Sequence, residues 1–471
     1  MPFLINQFLS RTLLLMLLFC PAVVCAADAG GQFVYSLQDA IEQALAGNHQ
    51  YRSLLNSVEV AEMDYVKARS AFKTKLTGNV NSDARNGAEI GSAYNLGLRK
   101  RNESGSAYGV GLYNSTFGDN SLSEIRFSYT LPFFQDKISS GKFDSDRAEL
   151  DLRHRERMAK IGAEELALSV VAAYYRLSLA DNHIDVARGE LALAQKLERA
   201  TRIRAETGRS SELDLQWAGL RVAQAEQRYE SVTLQRVKSE NSLKMMMGLD
   251  VTAPISVDQE IPGVADPDLL LLSSDEVEAM AMQNRAELIG LGEDLDLARR
   301  KLRSVPAKRF PGLDVNLMYS LVGDGTSFSD SMSFDDQRFG VGVSMDVDLM
   351  GNPDQRQRRL FLFYDDKRRS YERLEDEIRI AVKDAVFQAQ EDAGQLNLAR
   401  ESLRLAEKQF QLTELKYRAG SASTQEVLEA QQDMSDARYM ELSSRVNYLM
   451  SAYRVRLVAG EILQDWVTEQ G

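Results

Sequence analysis

Residues 165–195 read ELALSVVAAYYRLSLADNHIDVARGELALAQ, and residues 377–407 read EIRIAVKDAVFQAQEDAGQLNLARESLRLAE. At an offset of 212 residues, the separation of Gly208 and Gly420, Glu165 meets Glu377 and Ala173 meets Ala385. Ala187-Arg188 then meets Ala399-Arg400, Leu191 meets Leu403, and Leu193-Ala194 meets Leu405-Ala406, without a gap. The match runs on through Ala218 on Ala430 and Ala225 on Ala437 to Gly248 on Gly460. One offset held over so long a window is an internal duplication, so the chain reads as two similar halves.

Each copy carries two helical arms. Leu166, Val170, Ala173, Leu177, Ala180, Ile184, Ala187, Leu191 and Ala194 recur in steps of four and three, and Ile378 to Ala406 repeat the device. That spacing draws one stripe along a helix, with a period near the 3.5 of coiled coils. Alanine in the stripe lets backbones approach closely, which suits walls of packed helices better than a thick globular core. Gly208 and Gly420 stand where a helix C-terminus takes a left-handed residue. Ser211-Glu-Leu-Asp214 and Ser423-Thr-Gln-Glu426 follow as capping boxes that restart a helix. Two α-helical hairpins result, and a continuous helix from Lys142 to Glu206 would be ~100 Å long.

Between helices the period changes to two. Leu313, Val315, Leu317, Tyr319 and Leu321 alternate with polar residues, as do Phe339, Val341, Val343, Met345, Val347 and Leu349. In the first half Tyr94-Leu96-Leu98, Tyr108-Val110-Leu112 and Ile125-Phe127-Tyr129-Leu131 alternate likewise, with Leu76 to Val80 a weaker case. Two principal strands and an additional hairpin are read there. Apolar on one side and small, polar or acidic on the other, these runs match strands with lipid outside and water inside, although a half-buried soluble sheet has the same period. Carboxylates on the polar side and long loops at one end of each hairpin favour the barrel.

The organisation expected is a leader at 1–27 and a first repeat at 28–248, holding a strand region at 75–134 and a helical hairpin at 142–247. A Pro- and Asp-rich connector follows at 249–273. The second repeat, 274–460, holds helices at 275–304, a β-hairpin at 311–349 and a helical hairpin at 354–459, and a tail occupies 461–471. The leader has one charge, Arg11, then a short apolar run and small residues up to Ala27, which reads as a secretory signal peptide. Both cysteines, Cys20 and Cys25, lie in it. Cys20 follows Phe19 and Cys25 follows Val24, so lipidation of the N-terminus is the minor reading. With cleavage at Ala26 or Ala27 the exported chain has no disulfide. The formal charge of −13 excludes a general nucleic-acid binder.

No catalytic constellation is present, and neither a cofactor nor a metal site is expected. His49, His154 and His183 are scattered, and no cysteine remains for a thiolate site. Met245-Met-Met247 reads as packing at a helix end rather than a soft-metal site. The chain therefore reads as a non-enzyme. Four strands cannot close a barrel of useful size, and lipid does not tolerate sheet edges, so oligomerisation is required. Three copies would supply twelve strands and twelve helical rods.

Leu37-Gln-Asp-Ala-Ile-Glu-Gln-Ala-Leu-Ala-Gly-Asn48, the passages Tyr129-Thr-Leu-Pro-Phe133 and Asp346-Val-Asp-Leu-Met-Gly351, and the two hairpin copies resemble the TolC-like outer-membrane efflux proteins. The likeness covers nearly the whole exported chain. It implies an α+β membrane protein: a homotrimer with four strands per chain in a twelve-stranded outer-membrane β-barrel, and a long periplasmic α-barrel. It implies a passive exit duct of a tripartite efflux or type I secretion system, docked to a periplasmic adaptor (a membrane fusion protein) and an inner-membrane pump or ABC transporter. Rings of carboxylates close the periplasmic end in this family. The matching positions here are Glu426 and Glu429, with Asp214 in the first copy, where Trp217 breaks the pair. Glu426 fits equally as the capping partner of Ser423. The tips Thr207-Gly208-Arg209 and Ala419-Gly420-Ser421 would meet the adaptor. The rival readings are a periplasmic adaptor and a coiled-coil scaffold of the envelope.

Overall fold

The structure, a computed structural model, describes residues 33–84, 90–118, 120–133, 140–208, 210–262, 273–304, 312–346 and 353–460. The leader, the tail, Arg209, much of the connector and the passage after Asp346 lie outside these residues. The first half runs β1 (Phe33–Tyr35), α1 (Leu37–Gly47), α2 (His49–Ser70), β2 (Lys75–Ala84), β3 (Ile90–Arg101), β4 (Ala107–Phe117), β5 (Asn120–Phe133), α3 (Ser140–Glu206) and α4 (Glu212–Met247). A short strand β6 (Ile255–Val257) leads into α5 (Ser274–Asn284), α6 (Ala286–Ser304), β7 (Gly312–Gly325), β8 (Asp336–Asp346), α7 (Pro353–Arg418) and α8 (Thr424–Ala459).

The punctuation expected from the glycines and serines is realised in both halves. Gly208, Gly248, Gly420 and Gly460 all have φ between 67° and 79°, a conformation that costs other residues a Cβ clash. Ser211 and Ser423 each close a capping box, with Asp214 and Glu426 at the third helical position. Ser36 and Ser273 do the same for α1 and α5. Helix α3 has 67 residues and α7 has 66, so each is a rod of ~100 Å. The returning arms have 36 residues each, ~54 Å, and stop halfway along. Their ends abut the joints between the paired short helices: Asn48 Nδ2 donates to the Met246 carbonyl at 2.9 Å, and Gly460 packs on Asn284.

The apolar stripes meet at that level. Val170, Leu177, Leu243, Met247 and Ile255 form one buried cluster. Val277, Ile378, Val382 and Val455 form its counterpart in the second half. The strands β1 and β6 pair in parallel, Phe33 opposite Ile255 and Tyr35 opposite Val257. Tyr174 fastens both: its hydroxyl donates to the Tyr35 carbonyl at 3.0 Å and accepts from the Asp258 amide at 3.2 Å. This clasp joins segments with no local signal for it.

The remaining strands form one antiparallel sheet in the order β2-β3-β4-β5-β7-β8. The four strands expected are present as β4, β5, β7 and β8, and a further hairpin, β2–β3, precedes them. The additional hairpin read in 75–134 is thus β2–β3. Its first arm is the fainter one by composition: β2 carries two large apolar residues, Leu76 and Val80, among Gly, Asn, Ser and Asp. It is held by ten register pairs with β3.

Candidate functional site

Register assembles the two faces of the sheet. Leu76, Leu98, Val110, Phe127, Tyr319 and Phe339 lie in one cross-strand row. Leu96, Leu112, Ile125 and Leu321 form the row on one side, and Tyr108, Tyr129, Leu317 and Val341 the row on the other. Further rows, Leu131-Val315-Val343 and Phe133-Leu313-Met345, continue the band. Most of these side chains are exposed, and a water-facing sheet would not present so broad an apolar surface. The band of five rows spans ~25 Å, the height of an outer-membrane barrel's lipid zone. A shallow depression lined by Leu98, Tyr108, Val110, Phe127 and Tyr319 belongs to this surface. The opposite face carries Glu124, Arg126, Thr130, Asn316 and Ser344. Arg126 pairs with Glu124 at 2.6 Å and lies over the Tyr113 ring. Among the described residues no helix is long and apolar enough to cross a membrane.

Above the band the 3-10 turn Asp330–Ser333 folds onto β5 and β7. Asn114 Nδ2 donates to Ser121 and Ser123, whose hydroxyls meet that of Ser331 at 3.2 and 2.7 Å. All four residues are buried. The β7–β8 loop is thereby fixed to the strands beneath it.

At the other end of the rods the hairpins turn. A Cβ at Gly208 or Gly420 would meet nothing within 4 Å, so both tips are free. Thr207 Oγ1 donates to the carbonyls of Ile203 and Arg204, and the Ser421 amide donates to the Lys416 carbonyl at 2.9 Å. These bonds satisfy the last carbonyls of each descending helix. The first tip also exposes Ile203, Leu213 and Trp217.

The three carboxylates singled out all stand near the tips and are exposed. Glu426 Oε2 accepts from the Ser423 amide at 2.7 Å, so its capping role is real. Glu429 accepts from Gln425 Nε2 at 2.8 Å. Asp214 accepts from the Ser211 amide and the Ser210 hydroxyl. Bonds from Ser211 and Ser210 hold its carboxyl below the usual carboxylate range, so it is charged at neutral pH.

A group not anticipated from sequence ties the two hairpins together. Arg228 on α4 reaches Asp436 on α8 at 2.6 Å and Glu190 on α3 at 3.7 Å, and its guanidinium lies over Tyr439. The Tyr439 hydroxyl donates to the His183 carbonyl, with the two rings edge to face at 4.7 Å. Burial, then the Arg228 charge, lowers His183 to about 4. Arg221 bonds Gln432, and Gln431 Nε2 donates to the Glu190 carbonyl. Closer to the tips Leu197, Tyr417, Val427 and Leu428 form a small core. A signal was available: these are places where the copies differ, Glu190 meeting Ser402 and Arg228 meeting Met440 at the repeat offset.

Among the described residues no group of His, Cys, Asp or Glu could hold a metal ion. Met247 is buried in the central cluster, while Met245 is exposed.

The sequence profile of the family described as "Outer membrane efflux protein" matches residues 40–249 and 279–461. The chain is 22% identical over 342 residues to "Outer membrane protein TolC" of Vibrio cholerae, covering 69% of this chain and 74% of that protein. Its fold is similar to that of the outer membrane protein VceC of Vibrio cholerae, with TM-score 0.69 and 13% identity over 90% of this chain and 96% of the other. It is similar also to the open state of the MtrE outer membrane channel of Neisseria gonorrhoeae, with TM-score 0.67 and 17% identity over 91% and 89% of the two chains. A profile spanning both repeats, with their hairpins, leaves no place for the adaptor and scaffold readings.

Proposed function

We propose that this chain, which belongs to the outer membrane efflux protein family, is the trimeric exit duct of a tripartite efflux or type I secretion system. It is an outer-membrane efflux channel, a class of transport proteins rather than enzymes. The sheet stands in the lipid of the outer membrane and the rods reach into the periplasm. Three copies of four helical columns close a hollow cylinder, through which cargo passes down its gradient. A periplasmic adaptor takes hold of the tips at Thr207, Gly208, Arg209, Ala419, Gly420 and Ser421. An inner-membrane pump or ABC transporter behind it supplies the energy.

One observation carries this reading: a single chain joins rods of ~100 Å to an amphipathic sheet whose two edges are open. Neither part is complete alone, because open edges are not stable in lipid. Glu426 and Glu429 form the acidic rings of the periplasmic constriction, with Asp214 beside them. Three copies of each make rings that draw cations and narrow the passage. Glu426 serves both as cap and as ring, since a capping carboxylate keeps its charge.

The test is the mass of the detergent-extracted particle after inner and outer membranes are separated. Three chains in the outer membrane are expected. A water-soluble monomer or dimer would overturn the reading.

A further inference from the structure

We propose that the hairpin β2–β3 is part of the barrel wall, so that each subunit contributes six strands and three copies close an eighteen-stranded barrel. The new interface joins β2 of one copy to β8 of the next. This rests on the trimeric duct proposed above and goes beyond it, since the four strands β4, β5, β7 and β8 alone would give twelve.

The argument begins at β4. A twelve-stranded ring needs the outer edge of β4 for the neighbouring subunit. That edge is already taken: Ala107 to Thr116 pair with Arg101 to Ser92 of β3, ten register pairs without a break. The free edges are β2 and β8. They are of like length, 10 and 11 residues. Six antiparallel strands put β2 and β8 in opposite directions, so β2 meets a neighbour's β8 antiparallel and the alternation continues around the ring.

Depth agrees as well. Leu76 and Leu98 lie in the same row as Val110, Phe127, Tyr319 and Phe339. The additional hairpin thus presents its large apolar residues at the level of the lipid band and Thr77, Asn79, Asn81 and Asn95 to the other face, as a wall strand must. Lateral exposure marks the edges: Val80 and Phe339 are 71% and 72% exposed, against 39% for Tyr319 inside the sheet.

Cysteine bridging tests this in the full chain, whose only cysteines are Cys20 and Cys25. Thr77→Cys, Asn79→Cys and Asn81→Cys on β2 are each combined with Gly340→Cys, Gly342→Cys or Ser344→Cys on β8, to sample register. The control panel pairs Gly109→Cys or Gly111→Cys on β4 with the same β8 positions. After oxidation in isolated outer membranes, β2–β8 combinations should give covalent dimers and trimers on denaturing gels, and β4–β8 combinations none. Bridging from β4, or no bridging from either panel in a particle of three chains, would overturn the eighteen-stranded ring while leaving the duct intact. A particle without three chains would overturn the duct itself and this inference with it.

Discussion

Gly248→Ala is the substitution whose outcome the geometry determines most closely. Gly248 caps α4 with φ 67°, and an alanine there has a left-handed cost of about 1–2 kcal/mol. It also stands against the α1–α2 joint. A Cβ would lie 2.3 Å from the Gly47 carbonyl oxygen and 2.5 Å from its carbon, which are backbone atoms that cannot swing away. Overpacking of this kind costs about 1–3 kcal/mol, so the total is about 2–5 kcal/mol. Gly208→Ala is the matched control. Its φ is 69° and nothing lies within 4 Å, so it has the left-handed cost alone, about 1–2 kcal/mol. The assay is the fraction of intact trimer after graded heating of the detergent-extracted particle, read on native gels at a fixed heating rate because unfolding here is a rate. Gly208→Ala should lose its trimer a few degrees below the parent, and Gly248→Ala well below both. Equal midpoints for the two variants would refute the claim that the joint is built by close backbone approach.

Four further outcomes are expected. Gly208→Trp or Gly420→Trp should abolish efflux in a drug-susceptibility assay while trimers remain in the outer membrane; unchanged resistance would remove the tips from the docking surface. Glu426→Ala with Glu429→Ala should raise single-channel conductance in planar bilayers several-fold, and an unchanged value would exclude these residues as the constriction. Arg228→Ala loosens the hold of the first hairpin on the second at a cost of about 1 kcal/mol, discounted because the group is partly wetted; faster amide exchange near Val427 should follow, and identical exchange would deny the tie. With His183 lowered to about 4 from 6.5, the unfolded chain takes up a proton first on acidification. Stability should therefore fall as pH drops from 6.5 towards 4 and hold above that range; His183→Gln should flatten this slope, and parallel acid profiles would disprove the assignment.

The helical part of the fold was open to reading because its signals are local and doubled. Gly208 and Gly420, Ser211 and Ser423 stand at equal places in both copies, and a left-handed glycine followed by a capping box is a property of a few adjacent residues. Val170, Leu177, Ile378 and Val382, picked out by spacing alone, are all fully buried. The sheet was harder. The other strands have alternation to spare, but β2 has Asn79 and Asn81 where a barrel lumen accepts them and Gly78 and Ser82 on its apolar side, and that composition also describes a loop. The hairpin tie escaped because Arg228, Glu190 and Asp436 come from three helices, and ion pairs between distant segments leave no period. The carboxylates near the tips were visible, yet sequence could not separate cap from ring at Glu426, since one side chain satisfies both patterns.

The clasp between β1 and β6 has a consequence for the order of assembly. Phe33 and Ile255 are 222 positions apart in the chain, and closing a loop of that size costs about 5 kcal/mol of chain entropy. Three residue pairs and the Tyr174 bridge do not offset that unaided, so the clasp forms once the helices around Leu177 and Leu243 have met. The first half therefore stays unfastened at its start until the connector has been delivered. A chain arrested before residue 255 holds its leading strand loose, and only a chain that has passed that point can lock it. Completion of the first half is in this way conditional on arrival of the connector, a checkpoint written into a strand of three residues.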